Sequence, residues 1–150
     1  MVAWLRMFQL QAILQSPLTF PALECFHIAG FGLGVGTIAL VDFRMLGWAL
    51  PATKVSDIAA SLSRWTTIGL LAVFLSAAGL FSSDPDLYYL NPSFQIKMTL
   101  LMFALIFHFT VHQKRAFDDE PAKWVGAVSL LMWASVTLCG IFIAFTGEAG

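Results

Sequence analysis

Four long apolar runs alternate along the chain with short stretches that gather its charge, proline and glycine. The runs cover about 20–41, 65–81, 94–111 and 124–145, and a helix rising 1.5 Å per residue needs about 20 apolar residues to cross a bilayer. Each run is therefore predicted to be a membrane-spanning helix, since hydrocarbon tolerates only segments that satisfy their own backbone hydrogen bonds. Residues 1–15, MVAWLRMFQLQAILQ, place apolar side chains at helical spacing between Arg6, Gln9, Gln11 and Gln15. That pattern predicts an amphipathic helix lying in the interface with Trp4 as its anchor. Ser16-Pro17 and Pro21 then break and restart the chain ahead of the first span. The expectation is an all-α integral membrane four-helix bundle, preceded by an interfacial helix.

Composition narrows this further. The chain has 150 residues, 59% of them hydrophobic and 11% charged, with a mean hydropathy of +0.80. A water-soluble domain carries roughly 25% charge. Four spans and their connections use nearly the whole length, so residues 1–150 are read as a single transmembrane domain. Cys25 and Cys139 both fall inside spans, outside any CxxC context, and read as small packing residues. A net charge of -1 without a basic run gives no reason to expect a nucleic-acid partner.

Lys and Arg are unevenly shared between the connections. Arg44, Lys54 and Arg64 lie between the first two spans, and Lys114, Arg115 and Lys123 lie between the last two. The connection around Ser82 to Pro92 has neither. By the positive-inside rule the two basic connections are cytoplasmic and both termini lie on the outer, periplasmic face.

The residues that could carry chemistry sit mainly on the first span. On a helix Glu24, His27, Gly30, Gly34 and Thr37 share one face, while Gly32 and Gly36 line a neighbouring one. Ionisable groups inside a bilayer are costly and turn toward a bundle interior, a wet cavity or a cofactor. The glycines below His27 then serve either close helix packing, as GxxxG spacing does, or room for a flat ligand. Leucine at Gly30 or Gly34 is expected to do more damage than at Gly126. On the second span Gly69, Ala72, Ser76 and Gly79 form a small-residue face for close packing, and Ser56 is a plausible N-cap. On the third span Lys97, Leu101, Ala104 and His108 align, and on the fourth Ser129, Trp133, Thr137 and Gly140.

Counting 1.5 Å per residue from the outer edge puts Glu24 and Lys97 level, with His27 a little deeper. If the first and third spans are neighbours, Glu24 and Lys97 form an intramembrane ion pair above His27; otherwise each snorkels to the interface. His112 reads as an interfacial residue. Intramembrane histidines in a small bundle raise the possibility of haem b, whose iron takes imidazole ligands from facing helices. The candidate metal and axial ligands are His27 and His108, with Gly30, Gly34 and Lys97 shaping the cofactor site. The two histidines differ in depth by about 11 Å on the same count. A second ligand to an iron at His27 would then come from another copy, from Met98 or from Lys97.

The stretch His27 to Gly47, HIAGFGLGVGTIALVDFRMLG, resembles the first-span pattern of an uncharacterised family of small bacterial four-span inner-membrane proteins, and more loosely copper-resistance D-type membrane domains. The resemblance implies a bacterial inner-membrane location and haem or metal handling. Three functions remain open: a haem b-binding protein for electron transfer within the membrane, a haem-free subunit or accessory protein with a structural polar network, and an oligomeric proton or ion pathway. In each the chain works in the lipid bilayer as a homo-oligomer or as a subunit of a larger membrane complex.

Overall fold

The computed structural model describes residues 16–83, 85–118 and 122–146, so the expected interfacial helix at 1–15 lies outside the described residues. Helix α1 (Thr19–Leu46) is followed by α2 (Val55–Ser83), the short α3 (Pro85–Tyr89), α4 (Pro92–Phe107), a π-helical turn (His108–His112), α5 (Gln113–Phe117) and α6 (Lys123–Thr146). Four segments are long and apolar enough to cross a membrane: Thr19–Leu46, Val55–Ser83, Pro92–Phe117 and Lys123–Ile143. The described residues form an all-helical bundle of four such spans.

The spans outrun the apolar stretches that predicted them. Helix α1 continues through Asp42 and Arg44 and stops where Gly47 takes φ 81°. There the Gly47 and Trp48 amides close back on the carbonyls of Arg44 and Phe43, a glycine-terminated end that satisfies two of the helix's last acceptors. Helix α2 already begins at Val55, so Ser56 lies within its first turn rather than at its cap. Charged residues mark where a helix leaves hydrocarbon, which is not where hydrogen bonding stops. At the opposite end Asn91 caps α4 through its side-chain oxygen, which accepts from the Ser93 amide, and Pro92 occupies the first turn. Tyr88 closes that turn against Phe81 and Phe94.

Helices α1 and α2 make the most extensive contact in the molecule, and α6 packs against both α1 and α4. The α1–α2 contact has a backbone-to-backbone centre. A Cβ on Gly69 would collide with the Gly34 backbone nitrogen and stand 2.9 Å from the Gly30 carbonyl oxygen. Above and below, Gly30 faces Ala72, Leu23 lies over Gly79, and the Thr37 and Thr66 hydroxyls meet at 2.8 Å. Close approach of this kind maximises dispersion where lipid tails offer no hydrophobic incentive to associate. The small-residue faces on both spans thus serve packing. Gly32 and Gly36 face open space.

Two apolar clusters fill the interior: Ile38, Leu70, Ala104, Trp133 and Val136 near mid-depth, and Val41, Met45, Ile58, Ala59, Ala116 and Val125 toward the basic end. The outer surface is covered by large apolar side chains such as Leu75, Leu131 and Ile28, as suits a body solvated by lipid.

The glycine contacts give a direct test by thermal unfolding in detergent. Gly69→Ala should destabilise by about 1–3 kcal/mol, because its new methyl meets backbone that cannot step aside, whereas Gly32→Ala and Gly36→Ala should be neutral. Gly126, expected from the sequence to suffer less from leucine than Gly30 or Gly34, is closely packed as well. A Cβ there already meets the Asp42 carbonyl at 3.0 Å, so a leucine at Gly126 should damage the fold as leucine at Gly34 does.

Candidate functional site

Two groups of polar residues lie within the bundle, one toward each end. Toward the end that carries α3, His27 turns inward from α1 and its Nδ1 lies 2.9 Å from the Ser76 hydroxyl of α2. Ser76 is buried and also donates to its own helix at Ala72 and Val73. His27, Ile28 and Phe31 form one wall of a groove of about 400 Å³, completed by Lys97 from α4 and Val136, Thr137, Gly140 and Ile141 from α6. Gly140 leaves room for Lys97, whose Nζ lies 3.2 Å from where a Cβ on Gly140 would stand. The lysine ammonium therefore stands in the same groove as the imidazole.

The expected Glu24–Lys97 ion pair does not form. Glu24 is exposed on the outside of α1, while Lys97 is half-buried beside Gly140. Level residues failed to meet because α1 and α4 share no extended contact; α6 stands between them.

The second group lies where α1 and the third span do meet. His112 Nε2 donates to Asp42 Oδ1 at 2.6 Å, and both side chains are buried, at 2% and 0% exposure. Asp42 had marked the edge of the first span in the sequence and His112 had read as interfacial; both lie in the interior. His108 stacks on His112, with ring centroids 5.0 Å apart and planes 28° from parallel. The stack sits in the π-turn, where the Gln113 amide reaches back five residues to the His108 carbonyl. Such wide turns interrupt α-helices frequently at functional positions. Ser129 of α6 lies beside the Asp42 carboxylate, one turn from the close contact of Gly126 with the Asp42 backbone.

The structure does not bring His27 and His108 together. His27 precedes Asp42 by fifteen residues on one helix, about 22 Å by the helical rise. His108, one turn closer than His112, remains on the order of 15 Å away in depth, so the two imidazoles cannot share an iron within one chain. Gly30 and Gly34, expected beneath a flat ligand, are occupied by α2 instead. Among the described residues no group of three or more His, Cys, Asp and Glu has an arrangement that could hold a metal ion. The stacked rings show why for His108 and His112: their lone pairs lie in nearly parallel planes, whereas two imidazoles on one metal converge on a point about 2 Å from each nitrogen.

The sequence signal for the second group was present, in a DFR stretch and an HxxxH pair at matching depth, but which helices face each other is not written in spacing. No family model, curated protein or solved structure matches the chain.

A double-mutant cycle on thermal stability distinguishes the two pairings. Asp42→Ala and His112→Ala should each cost about 3–5 kcal/mol, since either leaves a buried partner uncompensated, and the double variant should lose clearly less than the sum. Glu24→Gln and Lys97→Met should be additive, because they do not touch.

Proposed function

We propose that this chain is a multi-pass protein of the bacterial inner membrane that holds haem b in the groove at His27 and passes electrons within the membrane. The observation that carries the reading is the presentation of His27. Its Nδ1 is engaged by the buried Ser76 hydroxyl, which leaves Nε2 for an occupant of the groove. A ligating imidazole is ordinarily oriented in this way, through a hydrogen bond to its second nitrogen. The surroundings fit the group in kind: Ile28, Phe31, Val136 and Ile141 offer apolar walls and Lys97 a cation for a propionate. When bound, the haem would supply a one-electron centre. The chain's part is to fix the imidazole, exclude water with the apolar walls and compensate negative charge with Lys97.

No second histidine lines the groove, so a sixth ligand would come from Lys97 or from another copy meeting its lipid-facing side. That favours a homo-oligomer or a larger membrane complex as the working unit. A second reading, a haem-free accessory subunit, is favoured by the α1–α2 contact, which packs glycine on glycine with no cofactor between the helices.

The visible spectrum of the purified full chain decides between them. A Soret band with sharp reduced α and β bands, lost in His27→Ala and weakened in Ser76→Ala, is expected. A colourless protein from haem-replete cells, or a band indifferent to His27, would overturn the haem reading.

Orientation is tested separately, with Cys25 and Cys139 replaced by serine. Cysteine at the exposed Leu90 should react with an impermeant reagent from outside the cell, and cysteine at the exposed Asp118 only from the cytoplasmic side. The reverse pattern would invert the topology.

A further inference from the structure

Among the described residues, five buried side-chain atoms have no hydrogen-bond partner: Asp42 Oδ2, both ring nitrogens of His108, His112 Nδ1 and Ser129 Oγ. All five belong to the cluster in which α1, the π-turn and α6 meet. Native interiors satisfy the great majority of such atoms, and those left over mark a catalytic or redox role, a water or an ion. A small cavity of about 20 Å³ adjoins the two histidines, enough for one water molecule. Its walls include Ser63 and Thr66 of α2 and, on the third span, His108, His112 and Gln113, the last next to Lys114 and Arg115 at the basic end.

We propose that Asp42, His112 and His108 form an intramembrane proton-binding site, filled from the basic end of the bundle through the cavity at Ser63, Thr66 and Gln113.

With His112 neutral and its Nε2–H donated to Asp42 Oδ1, the buried cluster carries the uncompensated carboxylate charge, an unfavourable state in low dielectric. One proton arriving at the bare His112 Nδ1 converts this to a neutral carboxylate–imidazolium pair, and no other bond changes. A second proton on His108 would set two cations 5.0 Å apart in a stack, so the site holds one exchangeable proton, and His108 reaches His112 Nδ1 only through a water in the adjoining cavity. The groups that face the cluster are few. Helix α1 supplies Asp42, α2 supplies Ser63 and Thr66, whose hydroxyls bond to Ala60 and to Thr37 and Leu62, the π-turn and α5 supply His108, His112 and Gln113, and α6 supplies Ser129. Among the described residues no Lys, Arg or Glu lines the cavity. A metal ion is disfavoured by the stacked rings, whose nitrogens do not converge. The site is remote from His27 and does not depend on haem.

The test is a titration of the imidazole ¹⁵N signals of the full chain in lipid nanodiscs, across about pH 5 to 8, where a histidine ordinarily changes charge. The chain has three histidines, and His27 serves as internal reference for the fold. The His108 and His112 signals should respond together. Asp42→Asn, which keeps the acceptor oxygen and removes the charge, should move that response at least tenfold in proton concentration and leave His27 in place. His108→Phe keeps the stacked ring without its nitrogens and should slow proton exchange at His112 at least tenfold; this variant tests the site even if Asp42→Asn fails to fold. Signals that ignore pH in the native chain, or a response that neither substitution alters, would make the cluster a fixed structural contact. Displacement of both signals by stoichiometric zinc would assign it to a metal instead.

Discussion

Helices in hydrocarbon gain nothing from hiding apolar surface, because lipid tails are as apolar as leucine. What holds this bundle is the fit of α1 against α2 at Gly30, Gly34 and Gly69, where main chains approach as closely as atoms permit. Everything else is hung on that pair. It points His27 at Ser76 and places Thr37 on Thr66, while Asp42, farther along α1 on an adjacent face, turns toward His112 of the third span and Gly126 of α6. A single added methyl at Gly69 therefore threatens the position of every polar group along α1.

The polar groups complete what close packing begins. In water a buried carboxylate–imidazole pair is a doubtful source of stability, since desolvation offsets attraction. In a membrane bundle such a contact fixes which helices face each other. Asp42 and His112 join α1 to the third span at one end of the molecule, while at the other end α6 keeps these helices apart and a groove opens. The two candidate sites are thus consequences of one arrangement: diagonal helices that touch at one end and part at the other. The π-turn serves the closed end, widening the helix where the two imidazoles stack.

The two sites differ in what they can accept. The His27–Lys97 groove is large and apolar, with an imidazole and an ammonium for polar contacts, and it suits an amphipathic cofactor. The Asp42–His112–His108 cluster has room for a water molecule and nothing larger. An electron site and a proton site in one small bundle would be coupled electrostatically over roughly 15 to 20 Å of low-dielectric interior, where charge is weakly screened.

Hydropathy determined most of the architecture. The four spans and the small-residue faces of α1 and α2 follow from length, periodicity and residue size, because apolar runs of about 20 residues cross a bilayer as helices that satisfy their own backbone hydrogen bonds. That His27 and Lys97 would turn inward was legible for a related reason, both being ionisable groups that hydrocarbon will not accept on a lipid-facing surface, and both line one groove. Spacing along a helix gives depth and face but not the neighbour that the face meets, and there tertiary structure decided. Glu24 and Lys97 were level yet stand on either side of α6; Asp42 and His112 stood at the supposed edges of their spans yet meet in the interior. The wide turn at His108–His112 was hidden as well, since a π-turn is selected by the contacts it makes rather than by local propensity.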